Sequence, residues 1–172
     1  MKLKTILATT FLLLSFGQIF SQNTKTLDSV QYKIDYPSNW FPSYMGGYGA
    51  ELYIFTPLND STDFQENISL SIQKDLPEEI NNLENYTNSV VTSLDSYIKE
   101  LKLITNEKHL NEKLSYSTVA YTGLLYGEKT NVYQRIYFKN NKIYILTFTF
   151  KPESDASYKE KAIKAFDSFE VK

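Results

Sequence analysis

The stretch from Ile143 to Phe150 constrains the fold more than any other part of the chain. Its alternate residues form one face of Ile143, Ile145, Thr147 and Thr149 and another of Tyr144, Leu146, Phe148 and Phe150. Both faces are compatible with burial, whereas a strand with one wet face carries polar residues at every second position. The strand must therefore be central in a sheet and covered on both sides, and helices must supply the covers. Val132 to Lys139 reads as the strand before it. Asn140-Asn141 between them suits a two-residue turn, whose left-handed angles Asn tolerates, so the two strands form a tight antiparallel hairpin.

Two amphipathic segments can serve as the covers. In the first, Leu83, Tyr86, Val90, Leu94, Tyr97 or Ile98, and Leu101 recur at steps of three and four, with Asn81 or Asn82 to cap the opening amides and Glu84 at the reciprocal position for Asn81. Near Lys99 the period fades, and Leu101, Leu103 and Thr105 point to a change to strand. In the second, Ser154 or Asp155 caps a helix with Tyr158, Ala162, Ile163, Phe166 and Phe169 mostly on one side. Further strands are expected at Val30 to Tyr36, Glu51 to Thr56, Ile68 to Ile72 and Ser115 to Tyr121, each bounded by turn residues. This order predicts an α/β (α+β) fold: a three-layer α/β/α sandwich whose largely antiparallel central sheet of about seven strands is covered by helices.

At the start, Lys2 and Lys4 precede the nearly uncharged stretch Thr5 to Ile19, which is short for a bilayer core of about 30 Å and is followed directly by polar Ser21 to Lys25. The pattern is that of a signal peptide over 1–22, cleaved between Ser21 and Asn23, with one domain over 23–172. An exported protein of the periplasm or the extracellular space is expected, with no membrane span after cleavage. The absence of cysteine excludes lipidation at the end of the apolar run, disulfides and thiolate ligands. Sixteen basic residues then face twenty acidic ones, a net charge of −4, which lacks the concentrated basic surface that nucleic-acid binding requires. Fourteen tyrosines, eleven phenylalanines and a tryptophan argue against disorder.

No residue pattern marks a reactive centre. His109 is the only histidine, and Glu107, Lys108 and Glu112 beside it do not make a metal-selecting spacing, so it is expected in a turn. No Gly-x-Ser-x-Gly marks a nucleophile. Gly123-Leu124-Leu125-Tyr126-Gly127-Glu128-Lys129-Thr130 departs from a phosphate loop because Glu128 separates Gly127 from Lys129, and it reads as a hairpin turn. Glu78-Glu79, the pair that would invite a hydrolase reading, is better explained by the field of a helix amino end. No catalytic, cofactor-binding or metal-binding residue is assigned, and no cofactor is expected. The one candidate binding feature is the glycine-hinged loop Phe41 to Gly49, which carries Tyr44, Met45 and Tyr48, residue types enriched where surfaces meet partners.

Val30-Gln31-Tyr32-Lys33-Ile34-Asp35-Tyr36-Pro37-Ser38-Asn39-Trp40 near the start, Asn141 to Phe148 in the last hairpin, Tyr158-Lys159, and Phe166-Asp167-Ser168-Phe169-Glu170-Val171 at the end carry a likeness. Together they resemble the PsbP and Mog1-like family: an opening strand followed by Tyr-Pro-x-x-Trp, and a closing helix with a Ser-Phe tail. The resemblance implies an α/β/α sandwich without a general active-site motif. Its members include extrinsic proteins of photosystem II, small-GTPase binding proteins and bacterial exported proteins, and in style this chain is most similar to the last. A non-enzymatic, monomeric protein that binds another protein or an envelope component is therefore expected. The alternatives are a small apolar ligand carrier, a secreted hydrolase and, by fold analogy alone, a photosystem-associated protein.

Overall fold

The computed structural model describes residues 23–44, 49–58, 64–125 and 127–172. In chain order the elements are β1 (Thr24–Asp28), β2 (Tyr32–Pro37), β3 (Phe41–Ser43), β4 (Leu52–Phe55), β5 (Asn67–Gln73), α1 (Leu83–Tyr97), β6 (Lys99–His109), β7 (Tyr116–Leu125), β8 (Glu128–Lys139), β9 (Lys142–Phe150), α2 (Ala156–Asp167) and β10 (Glu170–Val171). Seven strands form one sheet in the order β3-β4-β5-β9-β8-β7-β6, with every neighbouring pair antiparallel, and β1-β2-β10 form a second, smaller sheet. The doubly apolar strand β9 sits at the centre of the large sheet. Its hairpin with β8 turns at Asn140 and Asn141, which take φ of 53° and 55°, the left-handed pair that a two-residue turn demands.

One face of the large sheet is sealed. Tyr144, Leu146 and Phe148 of β9 pack with Ile68 and Leu70 of β5, Leu52 and Ile54 of β4, and the inward residues of β2, α2 and β10. Trp40 is 1 % exposed and packs against Phe148 and Tyr158 with ring centroids 6.2 Å and 6.0 Å away. Each such side chain contributes about 1.5–3 kcal/mol of burial. Asp155 caps α2 by accepting from the Ser157 amide, and Ser168 at its other end reaches back to the Asp35 amide of β2 at 2.8 Å, which ties the small sheet to the helix.

The opposite face is covered over only part of its width. α1 packs on β6, β7 and β8, where Leu83, Tyr86, Leu94 and Ile98 meet Val119, Tyr121, Val132, Ile136 and Ile143. Seven strands at about 4.8 Å span roughly 30 Å, whereas one helix is about 10 Å wide and covers two or three of them. Over β3, β4, β5 and the far end of β9 no helix among the described residues lies on this face. There Tyr53, Phe55, Ser69, Ser71, Thr147 and Thr149 are half-buried and Phe41 is 58 % exposed.

Several expectations need correction. The strand expected from Val30 starts at Tyr32, and Val30 is 92 % exposed. That strand belongs to the small sheet, and β3, in the segment read as a loop, takes its place in the large one. The polar run Thr24 to Asp28 is a strand, because it pairs with β2 at an edge where its side chains stay wet. At α1 the cap is Asn82, one of the two expected, which accepts from the Asn85 amide at 2.8 Å; Glu84, expected as the reciprocal partner of Asn81, instead pairs with Lys108 of β6 at 3.1 Å. Tyr97 is 79 % exposed, and Ile98 takes the buried position.

Candidate functional site

The uncovered half of the sheet is a platform whose residues can be read from the strand register. One row across the strands runs Phe41, Phe55, Asn67 and Thr149; the next runs Ser43, Tyr53, Ser69, Thr147 and Gln134. Residues directly opposite in antiparallel strands share a face, so both rows point away from the sealed core. Tyr53 and Phe55 lie two apart on β4 and stack at 5.5 Å with an interplanar angle of 10°. Gln134 donates through Nε2 to Thr147 Oγ1 at 3.1 Å, while its buried Oε1 has no hydrogen-bond partner among the described residues. Neither row contains a charged residue.

Of the three residues singled out in the loop, Tyr44 directly follows β3 and is 62 % exposed. It lies close enough to Tyr32 and Tyr36 that its phenol adds to the effect of burial in raising theirs. Met45 and Tyr48 lie outside the described residues, as does the expected leader. Phe41, Tyr53 and Phe55, which sequence reasoning did not single out, sit on the neighbouring strands. The signal for them was available in β4 itself: Leu52 and Ile54 are aliphatic and fully buried, whereas the alternate positions are aromatic and only half-covered.

The other residues tested for chemistry have structural surroundings. His109 is not in a turn but is the last residue of β6, opposite Tyr116, with the two rings stacked at 4.7 Å. The chain turns at Gly127, with φ of 84°, but Gly123 to Leu125 and Glu128 to Thr130 on either side are strand. Among the described residues, no group of three or more His, Cys, Asp and Glu side chains converges as a metal site would require.

Beneath α2 the sealed face holds one ionic contact that sequence patterns did not reveal. Arg135, 5 % exposed, donates from Nη1 to Asp167 Oδ1 at 2.7 Å and lies over the rings of Tyr116 at 4.7 Å and Phe166 at 5.8 Å. Burial works against its charge, but hydrogen bonds to Tyr133 and Asp167 outweigh that and raise its affinity for the proton. Next to it Tyr137 donates to the Phe166 carbonyl at 3.3 Å, and burial pushes its phenol well above the ordinary value of 10.0. A raised phenol favours the protonated form when folded, so its stabilisation is complete below pH 10 and is lost as pH rises from there toward the folded value. Replacing Tyr137 with Phe should therefore flatten the alkaline limb of a stability-versus-pH curve measured by urea unfolding, and an unchanged limb would count against a buried neutral phenol. A cleft of about 360 Å³ beside this group is lined by Lys113, Tyr116, Tyr137, Asp167 and Phe169. Another of about 730 Å³ lies between the β1-β2 end and α2, where Asp35, Tyr36, Pro37 and Lys161 line it.

No protein-family model and no curated protein matches the sequence. Solved structures do match it. Cyanobacterial PsbP from Synechocystis sp. PCC 6803 superposes with a TM-score of 0.65 at 15 % identity, covering 91 % of this chain and 96 % of that one. LpqN, involved in cell envelope biogenesis of Mycobacterium tuberculosis, does so with a TM-score of 0.60 at 8 % identity, over 86 % and 90 % of the two chains. The Saccharomyces cerevisiae Ran-binding protein Mog1p gives 0.56 at 10 % identity, over 88 % and 96 %. The chain has the PsbP/Mog1-like α/β/α sandwich fold. Identities this low carry the fold and no activity.

Proposed function

We propose that this chain is an exported, non-catalytic binding protein that holds another protein or an envelope component on the open half of its large sheet. The observation that carries the reading is the short reach of α1, which leaves Phe41, Tyr53 and Phe55 together on a face that no helix among the described residues covers, with exposed Tyr44 following β3 at its rim on the side of Tyr32 and Tyr36. Large aromatic groups gathered without charges are what the centre of a binding surface needs. The filled core around Trp40 and Phe148 supports surface binding over the carriage of an apolar ligand, and the charged rims of the two clefts point the same way. Export rests on the leader pattern of 1–22 ahead of a domain over 23–172. Within the shared fold, one relative is described as Ran-binding and another as involved in cell envelope biogenesis, contexts in keeping with a surface that captures a partner.

The test is site-specific photo-crosslinking in the exporting cell. A crosslinker in place of Phe41 or Tyr44 should form a discrete adduct, while one in place of exposed Lys159 on α2 should not. The Tyr44→Ser/Tyr48→Ser variant should retain its melting temperature and lose the adduct. Equal labelling from all three positions, or none from any, would remove the support for this face as the binding surface.

A further inference from the structure

We propose that the open half-face is a platform for an uncharged glycan, which lies across β3, β4, β5 and β9 with its ring faces on Phe41, Tyr53 and Phe55 and its hydroxyls against the Ser, Thr, Asn and Gln side chains beside them. This deepens the binding reading above and rests on it. The charge pattern is the first reason. Although 22 % of the chain is charged, the two rows that cross the platform contain no charged residue at all. Such a surface has no electrostatic complement for a polyanion, an acidic peptide or an anionic membrane, and a neutral ligand loses nothing by lying on it.

The polar groups give the second reason. Ser69, Ser71 and Thr149 carry hydroxyls that both donate and accept, Asn67 and Gln134 carry amides that do the same, and among the described residues the three hydroxyls make no hydrogen bond. A ligand that satisfies them must itself present many groups of mixed donor and acceptor character, which describes a polyol. A protein partner fits less well, because serine is depleted in protein interfaces and Ser and Thr are under-represented among their energetic centres. Here hydroxyl side chains dominate the second row, at Ser43, Tyr53, Ser69 and Thr147.

Geometry is the third. Within each row a residue recurs once per strand, about 4.8 Å apart, on a surface that no helix among the described residues interrupts from β3 to β5. Phe41 and the stacked pair Tyr53 and Phe55 gather three aromatic rings at the β3-β4 edge of that surface.

The experiment uses the full chain and three probes: an uncharged hexamer of β-linked glucose, an uncharged hexamer of β-linked N-acetylglucosamine, and a sulfated heparin hexasaccharide as the anionic control. Backbone amide shifts and calorimetric titration are recorded at low and high salt. At least one neutral hexamer should bind with an affinity that salt does not alter, and shift changes should cluster on β3, β4, β5 and β9. Phe41→Ser and Ser69→Glu should each weaken that binding by about tenfold or more, with unchanged melting temperatures. Absence of binding by both neutral hexamers would overturn the inference, as would shifts confined to the clefts beside α2, or binding of the sulfated probe alone that disappears with salt. A protein adduct from position 41 with no glycan bound would leave the binding reading standing and reject the glycan.

Discussion

Phe148→Ala should destabilise the protein by about 3–5 kcal/mol, while Thr147→Ala, one residue away on the same strand, should cost about 1 kcal/mol or less. Phe148 has no exposed surface and its ring stacks between Trp40 at 6.2 Å and Phe150 at 4.9 Å. Removing it leaves a cavity in a region where α2, the small sheet and the large sheet all meet, and none of the three can close on it without losing contacts of its own. Thr147 points the other way, onto the half-face that, among the described residues, no helix covers, and its hydroxyl accepts a hydrogen bond from Gln134. Urea midpoints of the two variants measure the difference. Equal losses would mean that this end of β9 is covered alike on both sides, and the platform would cease to exist.

Gly123→Val should cost about 3 kcal/mol, and most of the effect should be removed in the background of Ile98→Ala. A Cβ built on Gly123 falls 2.2 Å from Ile98 Cγ2 and 3.0 Å from the Lys99 carbonyl oxygen. Here the chain leaves α1 and enters β6 by passing directly over β7, an approach that a side chain at position 123 would block. Glu100, two residues beyond Ile98, takes a left-handed φ of 54° where the β6-β7 register slips, so the crossing is already tightly shaped. A double-mutant cycle in chemical denaturation should show a coupling of about 2 kcal/mol, with the remainder of the cost left by the Lys99 carbonyl. Strictly additive losses would show that the close approach does not limit what position 123 can hold.

These two positions also show how much of the molecule was legible beforehand. For β9, alternation alone identified a central strand and placed its whole length under cover on both sides, which holds at the Ile143 end. The same alternation gave no warning that cover is lost toward Thr147 and Thr149, because threonine is equally at home half-buried on a sheet. Gly123 looked like a turn residue, since glycine is common in turns; its actual role depends on Ile98, a neighbour that pairwise patterns along the chain do not bring near it. Tyr44 was visible as an aromatic on a glycine-hinged loop; it is exposed, but on the side of Tyr32 and Tyr36 and not among the open-face rings. Phe41, Tyr53 and Phe55 were not visible, because nothing local distinguishes an aromatic ring beneath a helix from one beyond its reach. Arg135 was equally hidden: an arginine in a strand reads as solvated until Asp167 and two aromatic rings close around it.

The chain by itself determined the local elements: the Asn140-Asn141 hairpin, the two capped amphipathic helices, the polar and apolar sides of most strands, and through them a helix-covered antiparallel sheet. Side-chain periodicity and turn chemistry are properties of a few neighbouring residues, so they can be read in one dimension. Only the tertiary structure decided which strands are neighbours, sending β2 to a separate sheet with β1 and β10 and bringing β3 into the large one. It alone set where the helix cover ends, because one helix is narrower than seven strands and its position over them is chosen by packing between residues far apart in the chain.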